Sequence, residues 1–209
     1  MRQDNIQSHK QAAQAVARGG IVAFRTDTFY GLGVDPFNRA ALGALKALKG
    51  RDEGKPILVV ISDAAQVARF LDGEARLLDA LAASHWPGAL TLVVRARVEV
   101  PDELTAGTRT IGIRLPDDAE VRALVGACGG ALTATSANPA GQPPARTAAE
   151  VARYFPHGIE LILDGGEART DSPSTVLDIT GDAARLIREG VITRQELQKT
   201  LRTLNTDLL

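Results

Sequence analysis

The sequence predicts an α/β fold on a mixed sheet, and three observations predict it. Apolar runs of strand length alternate with amphipathic runs of helix length along the whole chain. Strand signals lie next to each other around 90–114 and again around 176–188, which favours antiparallel neighbours within the sheet. No repeat, low-complexity tract or linker-like composition break interrupts the 209 residues, so 1–209 reads as one domain around one substantial core.

Taken in order, residues 8–18 read as a helix stopped by Gly19-Gly20, and 21–24 as a buried strand. Residues 39–48 are helical, with Leu42, Leu45 and Leu48 on one face and Gly50 as the stop. The run 56–61 is an apolar strand, after which Ser62 or Asp63 caps a further helix. Residues 74–84 are helical, and Trp86-Pro87-Gly88 turns the chain into a strand over 90–95. A short strand at 110–114 precedes a helix at 118–127 and a strand at 131–135, which runs into a hydroxyl-rich loop. A helix at 147–155 and a strand at 159–163 follow. Strands at 176–179 and 185–187 suggest a hairpin across Gly181-Asp182, and a helix at 193–204 closes the pattern.

Composition narrows the chemistry. Lys and Arg number 24 against 25 Asp and Glu, so no global field draws the chain to nucleic acid or anionic lipid, although a local basic patch is compatible with it. Cys128 is the only cysteine, which excludes a disulfide framework and a cysteine-based zinc site; its small apolar surroundings suit a buried packing thiol. His9, His85 and His157 show no metal-ligand spacing. Residues 1–10 lack the apolar core of a signal peptide, and no apolar run reaches the ~20 residues of a membrane span. The expected setting is cytoplasmic, with no membrane partner.

Common site motifs fail. No glycine-rich loop ends in Gly-Lys-Ser or Gly-Lys-Thr, and Pro36 stands where the third glycine of a dinucleotide fingerprint belongs. Ser136 has no flanking glycines of a hydrolase elbow. Other segments carry chemistry. Residues 26–33 (TDTFYGLG) lead from a strand into hydroxyls, an acid and two glycines, a typical ligand-collecting lip; an ordinary turn with Asp27 capping its own backbone fits equally well. Lys49 ends a helix, where cations commonly complement the dipole, but Arg51 and Lys55 lie beyond the stop and suit an anion. Alternation puts Thr110, Gly112 and Arg114 on one strand face, with room above the glycine; a surface edge strand is the competing reading. Ser136 and Asn138 offer donors and acceptors, though an Asx-Pro turn also explains Asn138. Ser174 and Arg188 are unremarkable alone.

Arrayed in this order, seven segments resemble the YrdC/TsaC family of threonylcarbamoyl-AMP synthases: TDTFYGLG (26–33), KGR (49–51), WPGALTLV (86–93), TIGIRLP (110–116), TSANPAG (135–141), STVLDIT (174–180) and LIREG (186–190). The resemblance spans about 20–190 and matches the short members. It implies a single domain with a twisted mixed sheet flanked by helices and a large, positively lined cavity. It also implies condensation of L-threonine, bicarbonate and ATP into threonylcarbamoyl-adenylate and pyrophosphate, with Mg2+ accompanying the ATP. Downstream threonylcarbamoyl-transferase proteins then modify adenosine 37 of tRNA.

Carried over residue by residue, the resemblance makes Lys49 and Arg51 the catalytic cations. Arg51, Lys55, Thr110, Ser136, Asn138 and Arg188 would bind ATP, while Thr28, Arg114 and Ser174 would bind threonine. No protein ligand to the metal is implied. The chain departs from the family pattern at Val60, where many relatives have histidine, and at Ala134 and Pro144, where some have hydroxyls. A carbamate on the threonine amine is already an anionic nucleophile, so positioning and charge neutralisation are what this reaction requires of a protein. That fits a chain poor in histidine and cysteine. Two readings compete: a double-stranded RNA or ribosome-binding module using the same cationic cavity, and a carbamoyl-transfer domain like that of hydrogenase-maturation proteins. Net charge -1 and 4% aromatic residues weigh against an extensive RNA face.

Overall fold

The computed structural model describes residues 1–50 and 56–209. Its elements run β1 (Arg2–Gln3), α1 (Ile6–Ala17), β2 (Val22–Arg25), β3 (Tyr30–Gly33), α2 (Arg39–Lys49), β4 (Val59–Ile61), a 3-10 helix (Ala64–Arg69) and α3 (Leu78–His85). They continue with β5 (Leu90–Arg95), α4 (Asp102–Thr105), β6 (Thr110–Arg114), α5 (Ala119–Ala127), β7 (Ala131–Thr133) and β8 (Thr135–Ser136). Last come α6 (Ala148–Tyr154), β9 (Leu161–Asp164), β10 (Thr175–Asp178), β11 (Arg185–Arg188) and α7 (Arg194–Thr203).

Local chemistry accounts for the boundaries. Asn5 caps α1 by accepting from the Gln7 and Ser8 backbone N–H groups, and α1 buries Ala12, Ala15 and Val16 at helical spacing. Asn38 caps α2 in the same way, and Gly50 closes it at φ 56°, a left-handed conformation that favours glycine. A capping box between Thr193 and Glu196 starts α7, which buries Leu197 and Leu201 one turn apart. The helix expected after Asp63 is a 3-10 helix, still capped by Asp63, and the strand expected over 56–61 is reduced to Val59–Ile61.

The single sheet expected from the alternation is two mixed sheets. One has five strands in the order β1-β9-β2-β3-β8, the other six in the order β11-β10-β5-β6-β4-β7. Both contain parallel and antiparallel pairs, and β10 and β11 form the expected antiparallel hairpin. The division falls at Ala134. Before it, β7 pairs antiparallel with β4; after it, β8 pairs with β3. At the crossing the Thr133 N–H donates to the Val34 carbonyl at 3.0 Å, and the Val34 N–H to Thr133 Oγ1 at 2.9 Å. One continuous stretch of chain, 131–136, thus serves both sheets.

Two apolar clusters hold the layers. The larger takes Leu90, Leu92 and Val94 of β5, Ile111 and Ile113 of β6 and Leu177 of β10, with Leu42, Leu45, Leu81 and Leu197 from helices. The smaller joins α1 and α5 to Val22, Phe24, Val60, Leu132 and Leu163. Each fully buried Leu, Ile, Val or Phe contributes roughly 1.5–3 kcal/mol. Strand alternation sends the other phase of β5, β6 and β10 away from the larger cluster, and that face carries Thr91, Val93, Gly112, Arg114, Val176 and Asp178.

Candidate active site

Over this face lies a cavity of about 510 Å³ lined from both sheets. The six-stranded sheet supplies the floor. Thr26 to Gly31, apart from Asp27, and Ala134 to Ser136 come against it from the five-stranded sheet. Of the residues expected in the site, Thr28, Thr110, Arg114, Ser136, Ser174 and Arg188 all line this one space, although they span 160 positions of sequence (188 − 28). Thr110, Gly112 and Arg114 do share a face and all reach the cavity. A Cβ on Gly112 would meet Thr91 Cγ2 at 3.0 Å and Leu58 Cβ at 3.3 Å, so neighbouring side chains already fill the room expected above the glycine.

The closed end is cationic. Arg114 is 3% exposed, and its Nη2 lies 3.2 Å from Asp27 Oδ1 while Nη1 donates to Thr28 Oγ1 at 3.4 Å. Burial lowers the Arg114 pKa, partly offset by the Asp27 charge. Arg188 crosses from β11, and its Nε and Nη2 donate to the Ser174 carbonyl at 3.2 and 2.9 Å. Burial and then the Arg114 charge lower the Arg188 pKa, as expected of two guanidinium groups facing one space. Ser174 Oγ also stands 3.0 Å from Thr91 Oγ1. At the open end Asp178 Oδ2 accepts from Arg185 at 2.9 Å, and Asp178 Oδ1 accepts from the Thr180 hydroxyl at 2.7 Å. Arg114, Arg185 and Arg188 against Asp178 make the described charged lining mainly positive.

Two expected residues lie differently. Lys49 is buried beneath the Ser136 loop, and its Nζ donates to the Ser136 carbonyl, which ties the KGR helix end to the SAN loop. Asn138 does not line the cavity: its Nδ2 donates to the Pro139 and Gln142 carbonyls at 3.1 and 2.6 Å, which holds its own loop. Arg51 and Lys55 lie outside the described residues. The capping role considered for Asp27 belongs to Thr26, whose Oγ1 donates to the Phe29 carbonyl and accepts from the Thr28 N–H. Val60 is fully buried in the smaller apolar cluster, and Ala134 lines the cavity.

The sequence does not single out Thr91, Asp178 or Arg185, and it offers Asp27 only as a backbone cap. Thr91 and Asp178 left a faint signal, each a polar residue inside an apolar strand. The Asp27–Arg114 and Asp178–Arg185 pairings left none. Among the described residues, no group of three His, Cys, Asp or Glu side chains could hold a metal. No helix of the described residues is long and apolar enough to cross a membrane.

Fold and site together define a class: two-sheet α/β proteins with a cavity between the sheets, furnished with arginines and hydroxyls for an anionic ligand. The chain belongs to the Sua5–YciO–YrdC family, whose model, described as telomere recombination, matches residues 14–190. A threonylcarbamoyl-AMP synthase of Halorhodospira halophila is 37% identical over 170 residues, covering 81% of this chain and 88% of that protein. The Pyrococcus abyssi enzyme of the same name is 35% identical over 193 residues, covering 91% of this chain and 56% of its own length. Pyrococcus abyssi Sua5 complexed with L-threonine superposes with a TM-score of 0.91 at 32% identity, covering 97% of this chain and 59% of that one. The chain thus spans less than two thirds of the archaeal protein, but most of the Halorhodospira protein.

Proposed function

We propose that the chain is a threonylcarbamoyl-AMP synthase. As a nucleotidyltransferase it joins L-threonine, bicarbonate and ATP into threonylcarbamoyl-adenylate and pyrophosphate, and proteins downstream pass the threonylcarbamoyl group to adenosine 37 of tRNA. The observation that carries this reading is the buried Arg114 in the cavity wall, bonded to the Thr28 hydroxyl, with Ser174 lining the same space. A fixed guanidinium beside hydroxyls suits an amino acid carboxylate and a polar side chain. The threonine complex of the archaeal relative and the names of the other relatives support the same substrate class.

The residues have simple tasks. Arg114 holds the threonine carboxylate. Ser174 and Thr28 orient the amino acid so that its carbamate faces the nucleotide. Arg188, Thr110 and Ser136 line the path of the ATP, and Arg51 and Lys55 of the KGR loop neutralise its phosphates. Lys49 supports the Ser136 loop from below. The carbamate oxygen attacks the α-phosphorus, pyrophosphate leaves, and fixed cations stabilise the charge spread over the phosphate oxygens. Magnesium would arrive with the ATP.

The test is pyrophosphate release by the purified chain, omitting threonine, bicarbonate and ATP in turn. Release should need all three, and Arg51→Ala should nearly abolish it in a folded protein. Near-normal release by that variant, or release independent of threonine, counts against the assignment. Salt-sensitive RNA binding without any such release would favour the RNA-binding alternative instead.

A further inference from the structure

Two segments cross at the closed end of the cavity and exchange charges. The end of β2 and its turn supply Arg25 and Asp27, while the end of β6 and its following loop supply Arg114 and Asp118. Arg25 Nη2 pairs with Asp118 Oδ2 at 2.8 Å, and Arg114 Nη2 with Asp27 Oδ1 at 3.2 Å. The two carboxylates differ in what else they do. Asp118 Oδ2 also faces Arg169 at 3.3 Å, and its Oδ1 caps α5. Asp27 has no such task, since Thr26 already closes the turn.

Both Asp27 oxygens are sealed from solvent, and neither makes an aligned hydrogen bond. A carboxylate buried in that state is costly unless an opposing charge needs it. Neither oxygen reaches the cavity surface, so Asp27 cannot touch a ligand there. It can act only through Arg114, whose Nη1 is tied to Thr28 and whose Nε has no partner.

We infer that Asp27 is a positioning residue: it fixes the plane of the Arg114 guanidinium, so that the arginine presents a preset fork to the α-carboxylate of the amino-acid substrate. The inference rests on the reading of Arg114 as the carboxylate site. Two effects of Asp27 oppose each other. Its charge offsets part of the attraction between Arg114 and an incoming carboxylate. Its position keeps the fork oriented against the repulsion of Arg188, and a fork held in place binds without losing rotamer freedom. At this depth orientation prevails, because a guanidinium stripped of its counter-charge turns toward water.

Steady-state kinetics on the full chain with Asp27→Asn, Arg114→Ala and the double variant tests this. A KM does not depend on the amount of active enzyme, so a partly folded preparation still reports it. Asp27→Asn should raise the threonine KM about tenfold or more and hold the ATP KM within about twofold. The double variant should match Arg114→Ala alone, whereas a purely structural role would move both KM values or neither. An unchanged or lower threonine KM in Asp27→Asn, with a raised one in Arg114→Ala, overturns the inference and leaves the carboxylate reading standing. An unchanged threonine KM in Arg114→Ala refutes that reading, and the inference with it.

Discussion

Replacing Arg25 with methionine removes one arm of the reciprocal clamp and keeps most of its apolar stem. Arg25 and Asp118 are 2.8 Å apart, with side chains 10% and 2% exposed. Removing one partner of a buried ion pair costs about 3–5 kcal/mol, because the remaining charge stays buried without compensation. Two contacts draw the value to the low end of that range. Asp118 Oδ1 keeps the Glu120 and Val121 N–H groups at 3.1 and 3.4 Å, and Arg169 remains 3.3 Å from Oδ2 on a half-exposed side chain. The expected loss is about 3 kcal/mol, against a total stability of about 5–15 kcal/mol for a typical domain. Urea unfolding followed by circular dichroism should show a lower midpoint with an unchanged slope. Adding Asp118→Asn should restore part of the loss, since the stranded charge is then gone. A loss under about 1 kcal/mol would refute the reasoning, because the cap and Arg169 would then suffice for Asp118.

Further outcomes follow from the same contacts. A Cβ on Gly190 would sit 2.1 Å from the Pro173 carbonyl oxygen and 2.7 Å from the Ser174 carbonyl carbon, both backbone atoms, so Gly190→Ala should displace Ser174. The readout is a raised threonine KM together with a stability loss of about 1–3 kcal/mol. Burial alone would raise the Asp178 carboxyl, but hydrogen bonds from Arg185 and Thr180, with the Arg185 charge, hold it below its ordinary value. Its stabilising contribution is therefore present above about pH 4 and fades as the pH falls through the lower folded value. The stability gap between the native protein and Asp178→Asn should shrink on acidification, and a gap that widens would contradict the pairing. Burial raises the Cys128 thiol to about 12, so iodoacetamide should label it slowly in the native protein and rapidly in urea. Fast labelling of the folded chain would show that the thiol is more open than its surroundings imply.

Much of the fold was legible because its signals are local. Asp63, expected as a cap, accepts from the Ala65 N–H two residues on, so the sequence carries both partners, whereas the Asn5 cap starts its helix at Ile6, two residues before the expected 8. The alternation in β6 was equally plain, and it placed Thr110, Gly112 and Arg114 on one face before any partner strand was known. The division into two sheets was not legible. Residues 131–135 read as one strand, and only the positions of β3 and β4 decide that the chain changes partner at Ala134.

The candidate site divides along the same line. By itself, the sequence determined which segments carry arginines, hydroxyls and glycines, and their order tied the chain to a family. It also determined that histidine and cysteine chemistry is not available in quantity. Only the tertiary structure decided that Thr28, Arg114, Ser174 and Arg188 converge, that Asn138 holds its own loop, and that Asp27 faces Arg114. The reason is physical. Helix caps and strand faces depend on neighbours a few residues away, whereas an ion pair between positions 27 and 114 exists only once packing has brought two strand ends together and excluded water from both.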